Sequence, residues 1–461
     1  MADDLAPVDA GSDVDVVSAQ EVQEAGMLGR RDEQQQMILL YYCYVTIECV
    51  ESHAQFHTNT CKATSLNGRI RVSTEGINGV LSGRGHDLRE YESKLRHELT
   101  TSLIAPPNGG SAPSNNIDLD MKYCHLRKDI PVHQQLFDSL SVRVTREVVS
   151  LVETPQSKSK GGRSRCRQRR RQRRKEKDME LDCRDTCLVD WKNEEAATHL
   201  SPSEWNAALL RASEASEGGL NKGDVLIDVR NVYESNIGHF AVPNLQTLMP
   251  NTRKHSSMAD VFNSETTAKA LAGRRVFMYC TGGVRCERAG SYLKGISESN
   301  SGAWKGMEPP SAVYQLKGGI QNYLEQFGDK GEVATIKQGK DDEKLCLYRG
   351  RNFVFDPRRT DPVIGSGMPS SGKSEKVSVV GKCMICNCPH DDYDNNHAPC
   401  ENKEARCFRC RILVLICDPC RKMYTCWGEA EEGKPILHCG KNGAVCIDRG
   451  NSTEQIRITQ Y

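Results

Sequence analysis

A cysteine that ends an apolar run and is followed by two glycines and an arginine can become a reactive thiolate. Tyr279-Cys280-Thr281-Gly282-Gly283-Val284-Arg285-Cys286 has that composition. Gly282 and Gly283 permit backbone angles that a Cβ disfavours, so several N–H groups can turn inward as an anion cradle. The N-terminus of a following helix reinforces such a cradle. With Arg285 beside it, thiolate is favoured over thiol at Cys280. That sulfur is a nucleophile, and it can carry a terminal sulfur as a persulfide. The competing reading, a core cysteine after a buried strand, is outweighed by the glycines and the arginine. Cys286 could resolve a persulfide or pack beneath the loop, and packing is the preferred reading.

Cysteines also crowd the end of the sequence. Cys383-x-x-Cys386 is followed by Cys388 and Cys400, then by Cys407-x-x-Cys410, Cys417-x-x-Cys420 and Cys426, with Cys439 and Cys446 beyond. A Cys-x-x-Cys pair places two thiolates on one knuckle, and two pairs complete a tetrahedral zinc site. The expected ligands are Cys383, Cys386, Cys400, Cys407, Cys410, Cys417, Cys420 and Cys426, holding one or two structural zinc ions. Spacing does not say which thiols share an ion. A third concentration is basic: Arg163, Arg165, Arg167, Arg169, Arg170, Arg171, Arg173 and Arg174 lie in a run without apolar residues. Such density attracts phosphate backbones and also has the form of a nuclear targeting signal. The bland alternative is a solvated linker.

These groups need elements to position them. Val276-Phe277-Met278-Tyr279 reads as a buried strand and residues 287–296 as a helix. Cys280 then sits at a strand's carboxyl end, where open parallel sheets collect ligands. Residues 224–230 read as a second buried strand carrying Asp228 and Arg230, with Glu234 and His239 downstream. Asp228 and Arg230 are expected to pin loops through charge-assisted bonds, with Glu234 and His239 in similar supporting roles. Ser201, Pro202 and Glu204 make a capping box. Residues 312–316 read as the last strand, Gly318-Gly319 as the turn and 320–327 as a closing helix. The alternation predicts a parallel α/β domain over 197–360.

Ahead of it, residues 37–153 read β-α-β-β-α-β, a ferredoxin-like layout. Its strands fall at 38–47, 117–125 and 140–152, and its helices at 52–66 and 87–99. A hairpin pairs 69–73 with 79–82, its turn signals at Glu75-Gly76 and Asn78-Gly79. Residues 105–116 are an inserted loop. The acidic, Gln-rich residues 1–36 are expected to be disordered. Residues 154–196 form the Arg-rich linker, 361–380 a second linker, and 381–450 the Cys-rich zinc-binding module, with a short strand at 411–416.

The 461 residues suffice for two or three cores. No apolar run reaches the ~18–20 residues of a membrane span. Met1-Ala2-Asp3-Asp4 lacks a signal pattern. The 21 cysteines therefore read as reduced thiols and metal ligands in a cytoplasmic protein, or a nuclear one through the Arg run. No flavin or NAD fingerprint and no His/carboxylate iron triad is present.

Cys280-Thr281-Gly282-Gly283-Val284-Arg285 resembles the active-site loop of the rhodanese family of sulfurtransferases. Four residues separate Cys280 from Arg285. Phosphatases on that fold have one more, so the short loop favours sulfur transfer. Asp228-Val229-Arg230, with Glu234 and Gly238-His239, is similar to a second rhodanese signature. The longer string through Cys286-Glu287-Arg288-Ala289 resembles the TrhO-type tRNA uridine hydroxylases and their eukaryotic relatives. So do Glu75-Gly76-Ile77-Asn78-Gly79, residues 141–149, Tyr314-Gln315-Leu316-Lys317-Gly318-Gly319-Ile320, residues 350–358 and, more loosely, Cys383, Cys386, Cys400, Cys410, Cys417 and Cys420. The Arg-rich run departs from that pattern. The hairpin's Gly76, Asn78 and Gly79 either serve the turn alone or bring it to RNA or to the sulfur loop.

The resemblance implies oxygen-dependent hydroxylation of the tRNA wobble uridine, with Cys280 essential and Arg285 and the loop amides holding an oxyanion or persulfide. A second hypothesis is a sulfurtransferase that takes sulfur from a small donor and passes it to a thiol or cyanide. A third is a zinc-containing RNA-binding or scaffold protein with a relic loop, against which the intact Cys280 and Arg285 speak.

Overall fold

The computed structural model describes residues 34–102, 118–127, 131–151, 197–215, 223–328, 345–354, 360–362, 379–393, 405–426, 433–439 and 456–459. The arginines from Arg163 to Arg174, Cys400, Cys446, nearly all of residues 1–36 and the 105–116 loop lie outside these residues. The chain divides into two compact units, Met1–Val72 with Gly79–Val144, and Ser73–Asn78 with Thr145–Tyr461.

In the first unit, β1 (Gln36–Tyr44), α1 (Val50–Ala63), β2 (Asn67–Ser73), β3 (Gly76–Arg84), α2 (Gly85–Ser102), β4 (Asp120–His125) and β5 (Leu140–Val144) follow in order. They build a five-stranded mixed sheet, β4-β1-β3-β2-β5, with β1 antiparallel to β4 and β2 parallel to β5. Strand alternation puts Ile70 and Val72 inside and Arg69 and Arg71 outside. Two expectations change here. The hairpin turn is Thr74-Glu75 alone, and Asn78-Gly79 lies within β3. Gly79 is small because a Cβ there would fall 2.3 Å from the Tyr41 ring, not because the chain turns. The last strand ends at Val144 rather than continuing to residue 152.

The second unit is built on a six-stranded sheet. Its elements are β6 (Thr198–Leu200), α3 (Pro202–Glu214), β7 (Asp224–Asp228), α4 (Val232–Ser235), β8 (Gly238–Phe240), β9 (Gln246–Pro250), α5 (Met258–Phe262), α6 (Glu265–Leu271), β10 (Arg275–Tyr279), α7 (Val284–Glu298), β11 (Ala312–Leu316), α8 (Gly319–Phe327), β12 (Tyr348–Phe353), β13 (Thr360–Pro362) and β14 (Ile456–Thr459). The order is β14-β9-β7-β10-β11-β6, with β9, β7, β10, β11 and β6 parallel. β14 runs antiparallel to β9, so the sheet draws its edge strand from beyond the predicted 197–360 span. The capping box of α3 forms: Ser201 Oγ accepts from Glu204 N at 3.3 Å, and Glu204 Oε2 accepts from Ser201 N at 2.8 Å.

Successive residues of β7 and β10 point to opposite faces, and both faces are covered. Val225, Ile227, Val276 and Met278 pack under α7 with Leu293 and Trp304. Leu226, Phe277 and Tyr279 pack on the other side with Trp205, Phe240 and Tyr323. That double burial explains the apolar run before Cys280 and fixes where the strand ends. β12 pairs antiparallel with β8, so residues near 350 fold back on this unit.

Candidate active site and cysteine clusters

β10 ends at Tyr279 and α7 begins at Val284, leaving a loop of four residues. Gly283 caps the helix with φ +98°, a conformation that favours glycine. Gly282 differs from the expectation: its φ is not positive, and a Cβ there would meet nothing within 4 Å. Its missing side chain leaves open space over the loop. Gly318 and Gly319, read from sequence as a simple turn, have a closer role. Gly319 has φ +68°, and a Cβ would fall 2.6–2.7 Å from the carbonyls of Thr281 and Cys280. Through that contact the first turn of α8 donates Ile320 N to Cys280 O at 2.9 Å and Gln321 N to Thr281 O at 3.0 Å.

Cys280 is fully buried, and its Sγ accepts from Gly283 N at 3.1 Å. Burial alone would raise its pKa. The Cys286 thiol, the Arg285 charge and the N–H groups of Cys286 and Arg285 outweigh burial and bring it down to about 6. Cys286 goes the other way: burial, then its bond to Cys280, raises it well above the usual thiol value. Of the pair, Cys280 is the thiol whose ionisation is favoured and Cys286 the one that keeps its proton and donates to it.

Arg285 does not aim its fork at the sulfur. Nη1 donates to Glu234 Oε2 at 2.7 Å, and Nη2 to Glu234 Oε1 and Thr281 Oγ1, both at 2.8 Å. Glu234 is buried, which would raise its pKa, yet the Arg285 charge and bonds, Arg230 and the Asn231 amide hold it near 2. Arg285 therefore supports the thiolate as a fixed charge, and Glu234 fixes Arg285. Asp228 and Arg230 form a separate pair below, with Arg230 Nη2 donating to Asp228 Oδ2 at 2.7 Å and to the Gly238 carbonyl at 2.6 Å. The His239 Nδ1 meets the Ser235 carbonyl at 2.9 Å.

Two further residues take roles that their local sequence does not show. His255 is buried within the electrostatic reach of Arg285 and Glu234; burial first, then Arg285, pushes it down to about 3, so it is a neutral imidazole. Nothing in its local sequence marks it. Arg288, one turn along α7 from Arg285, meets Glu147 at 2.7 Å and Glu75, in the hairpin turn, at 3.3 Å. Glu75 also accepts from Val148 N at 2.7 Å. The hairpin tip thus braces the helix that starts at the thiolate loop, and Arg288 stood in the longer motif.

A basic face lies in the first unit. Arg71 and Arg143 are register partners on β2 and β5, with Arg69 two residues along. Arg71's pKa is lowered by burial and then by the charges of Arg143 and Arg69. Like charges on neighbouring strands repel.

The cysteines gather in two groups. Cys383, Cys386, Cys388 and Cys417 place their sulfurs within 4.8 Å of one another, and Cys407, Cys410 and Cys439 do the same. Cys420 is a hydrogen-bond neighbour of Cys417, Cys386 and Cys383. Cys388 and Cys439 thus join the clusters although they are not among the expected ligands, and Cys426 is buried in the same core as Cys383, Cys407, Cys417, Cys420 and Cys439. Residues 411–416 form no strand; only an Arg406–Leu413 bridge is made. Thiol clusters of this size, with sulfurs 3.4–3.6 Å apart across Cys410–Cys439 and Cys386–Cys417 and no disulfide, fit a soft tetrahedral cation.

Among the described residues no helix is long and apolar enough to cross a membrane. Three family models match the chain: the UPF0176 acylphosphatase-like domain over residues 36–148, the rhodanese-like domain over 212–326 and the rhodanase C-terminal region over 349–430. It is 30% identical over 393 residues to rhodanese-like domain-containing protein 6 of Arabidopsis thaliana, a match covering 85% of this chain and 51% of that one. The chain thus spans about half the length of that relative. It is 28% identical over 424 residues to a tRNA uridine(34) hydroxylase of Staphylococcus carnosus, covering 92% of this chain and 98% of that one. A tRNA uridine(34) hydroxylase of Shouchella clausii is 28% identical over 371 residues, covering 80% and 83%.

Proposed function

This chain is a rhodanese-domain protein with a UPF0176-type N-terminal domain, related to tRNA uridine(34) hydroxylases, and we propose that it modifies the wobble uridine of tRNA through Cys280. The observation that carries the reading is the buried Cys280 at the end of β10, whose Sγ accepts from Gly283 N at 3.1 Å and whose pKa the Cys286 thiol, the Arg285 charge and the loop amides bring down to about 6. The thiolate is the nucleophile, the loop N–H groups face its charge, and Glu234 keeps Arg285 from swinging away. The open space over Gly282 is the approach. The arginines at 69, 71 and 143 suit a phosphate backbone. Zinc suits the cysteine clusters, because thiolates are ligands it prefers and the N–H groups of Cys417 and Cys439 already donate to the sulfurs of Cys383 and Cys407. Bound there, it holds structure.

Nucleoside mass spectrometry of tRNA tests this reading. Cells lacking the protein should lose a hydroxyuridine-derived nucleoside that returns with wild type and not with Cys280→Ala. An unchanged profile removes tRNA modification as the main role.

The short loop favours a second reading, sulfur transfer without RNA. Cys280 S⁻ attacks the outer sulfur of thiosulfate, releasing sulfite and leaving a persulfide; cyanide then takes that sulfur as thiocyanate and regenerates the thiolate. Thiocyanate turnover by the purified protein, with tRNA nucleosides unaltered in the deletion, would select it.

A further inference from the structure

We propose that the C-terminal cysteines form two interleaved metal sites for zinc-like cations, and that these sites brace the arm carrying Glu234 and so hold the Cys280 loop. The second half rests on reading Cys280 as the reactive group. The two knuckles are structural copies. Cys383 N donates to Cys388 O at 2.8 Å and Asn387 N to Cys383 O at 2.9 Å; Cys407 N donates to Ile412 O and Arg411 N to Cys407 O, both at 2.9 Å. The residue after each second cysteine takes a left-handed turn, Asn387 at φ +58° and Arg411 at φ +64°. Each knuckle closes with one bridge, Lys382–Pro389 and Arg406–Leu413. Each first cysteine accepts an N–H from a distant third one: Cys417 N reaches Cys383 Sγ and Cys439 N reaches Cys407 Sγ, both at 3.4 Å. Two equivalent half-sites therefore exist, and tetrahedral thiolates around one zinc sit about 3.8 Å apart, close to the separations here.

The chain visits them alternately. Cys383, Cys386 and Cys388 belong to the first site, Cys407 and Cys410 to the second, Cys417 to the first again and Cys439 to the second. Neither site can close without chain from between the ligands of the other, which cross-links the module.

The module's core reaches the thiolate loop through α4. Val232 is buried with Cys383, Cys407, Cys417 and Cys439, and Tyr233 packs against the same cluster. Tyr393 Oη donates to the Tyr233 carbonyl at 2.9 Å, and Ile237 packs with Leu413 and Leu415. Arg253, two residues before the neutral His255, donates to the Cys410 carbonyl at 2.8 Å. Glu234 is thus flanked on both sides by residues fixed to the cysteine module, while its carboxylate grips Arg285 and Thr281.

The test counts metal on the purified full chain and follows Cys280 alkylation by peptide mass spectrometry. Two zinc equivalents per chain are expected, and chelating them should slow Cys280 alkylation at pH 7 about tenfold, as Arg285 loses its fixed place. Fewer than two equivalents overturns the paired sites. Two equivalents with Cys280 alkylation unchanged or faster after chelation overturns the bracing. Cys439→Ser should lower occupancy of both sites; loss of one ion with the other held as tightly as before overturns the interleaving. Tyr393→Phe leaves every thiol in place, so it guards against a variant that merely fails to fold. It should keep both ions and slow alkylation about twofold, and wild-type reactivity would count against the bracing. Because none of these readouts uses RNA, failure of the tRNA reading would show separately.

Discussion

Two buried carboxylate–arginine pairs, anchored on Asp228 and Glu234 a few residues apart in the chain, are built differently. Asp228 and Arg230 are both fully buried; the Gly238 carbonyl and the Tyr348 hydroxyl satisfy the rest of the guanidinium. Glu234 and Arg285 keep 6% and 15% side-chain exposure; both hold Thr281 of the thiolate loop, and Glu234 also accepts from the Asn231 amide. The first pair is closed on itself between strands and holds β8 to β7. The second opens toward chemistry, because its cation is one of the charges that lower the Cys280 pKa. The same two residue types therefore serve as a rivet in one place and an electrode in the other, and the surroundings decide which.

The largest expected effect breaks the rivet. Arg230→Met strands a buried carboxylate and should cost about 3–5 kcal/mol in chemical denaturation, while the alkylation titration of Cys280 stays near pH 6. A titration that moved with it would dissolve the distinction. Arg285→Met should do the reverse: Glu234 keeps the Thr281 hydroxyl and the Asn231 amide, so less stability is lost, but the thiol inflection should climb from about 6 and alkylation at pH 7 fall about tenfold or more, roughly 1.4 kcal/mol. Arg285→Lys, which keeps the charge, should restore much of the inflection.

The wild-type pH dependence sharpens this. Cys280 has a folded pKa below its unfolded value of 9.0, so its contribution to stability is full above that value and is lost as pH falls through about 6. Glu234, depressed from 4.5 to about 2, adds a further loss below pH 4.5. Denaturation midpoints should therefore fall in two steps on acidification, and Arg285→Met should shrink both while Arg230→Met leaves the upper one intact. Smaller still, Gly319→Ala forces a Cβ against two loop carbonyls at φ +68° and should cost about 1–3 kcal/mol, read as a lower thermal midpoint. Gly282→Ala, facing open space, should stay within about 0.5 kcal/mol of wild type.

The strand–loop–helix around Cys280 was legible because both faces of β10 are buried, which writes an unbroken apolar run, and because the loop's glycines and arginine are local. The capping box at Ser201 was legible for the same reason: each partner is three residues from the other. What escaped was non-local. Gly319 looked like a turn glycine, yet its constraint comes from the carbonyls of Cys280 and Thr281. Gly79 looked like half of an Asn-Gly turn, and its constraint is the Tyr41 ring. Arg285 was assigned to the anion because its partner, Glu234, lies 51 positions away. Likewise Cys439 stands 32 positions from Cys407 in the sequence, and only folding brings it to that knuckle.

β14 has a practical consequence. It pairs along β9 and occupies what would otherwise be the outer rim of the six-stranded sheet. A chain cut before Ile456 would leave the rim of β9 with its outward N–H and C=O groups unpaired, and such a rim recruits strands from other molecules. β14 covers that rim, so a version trimmed before Ile456 should be less soluble although every group around Cys280 remains.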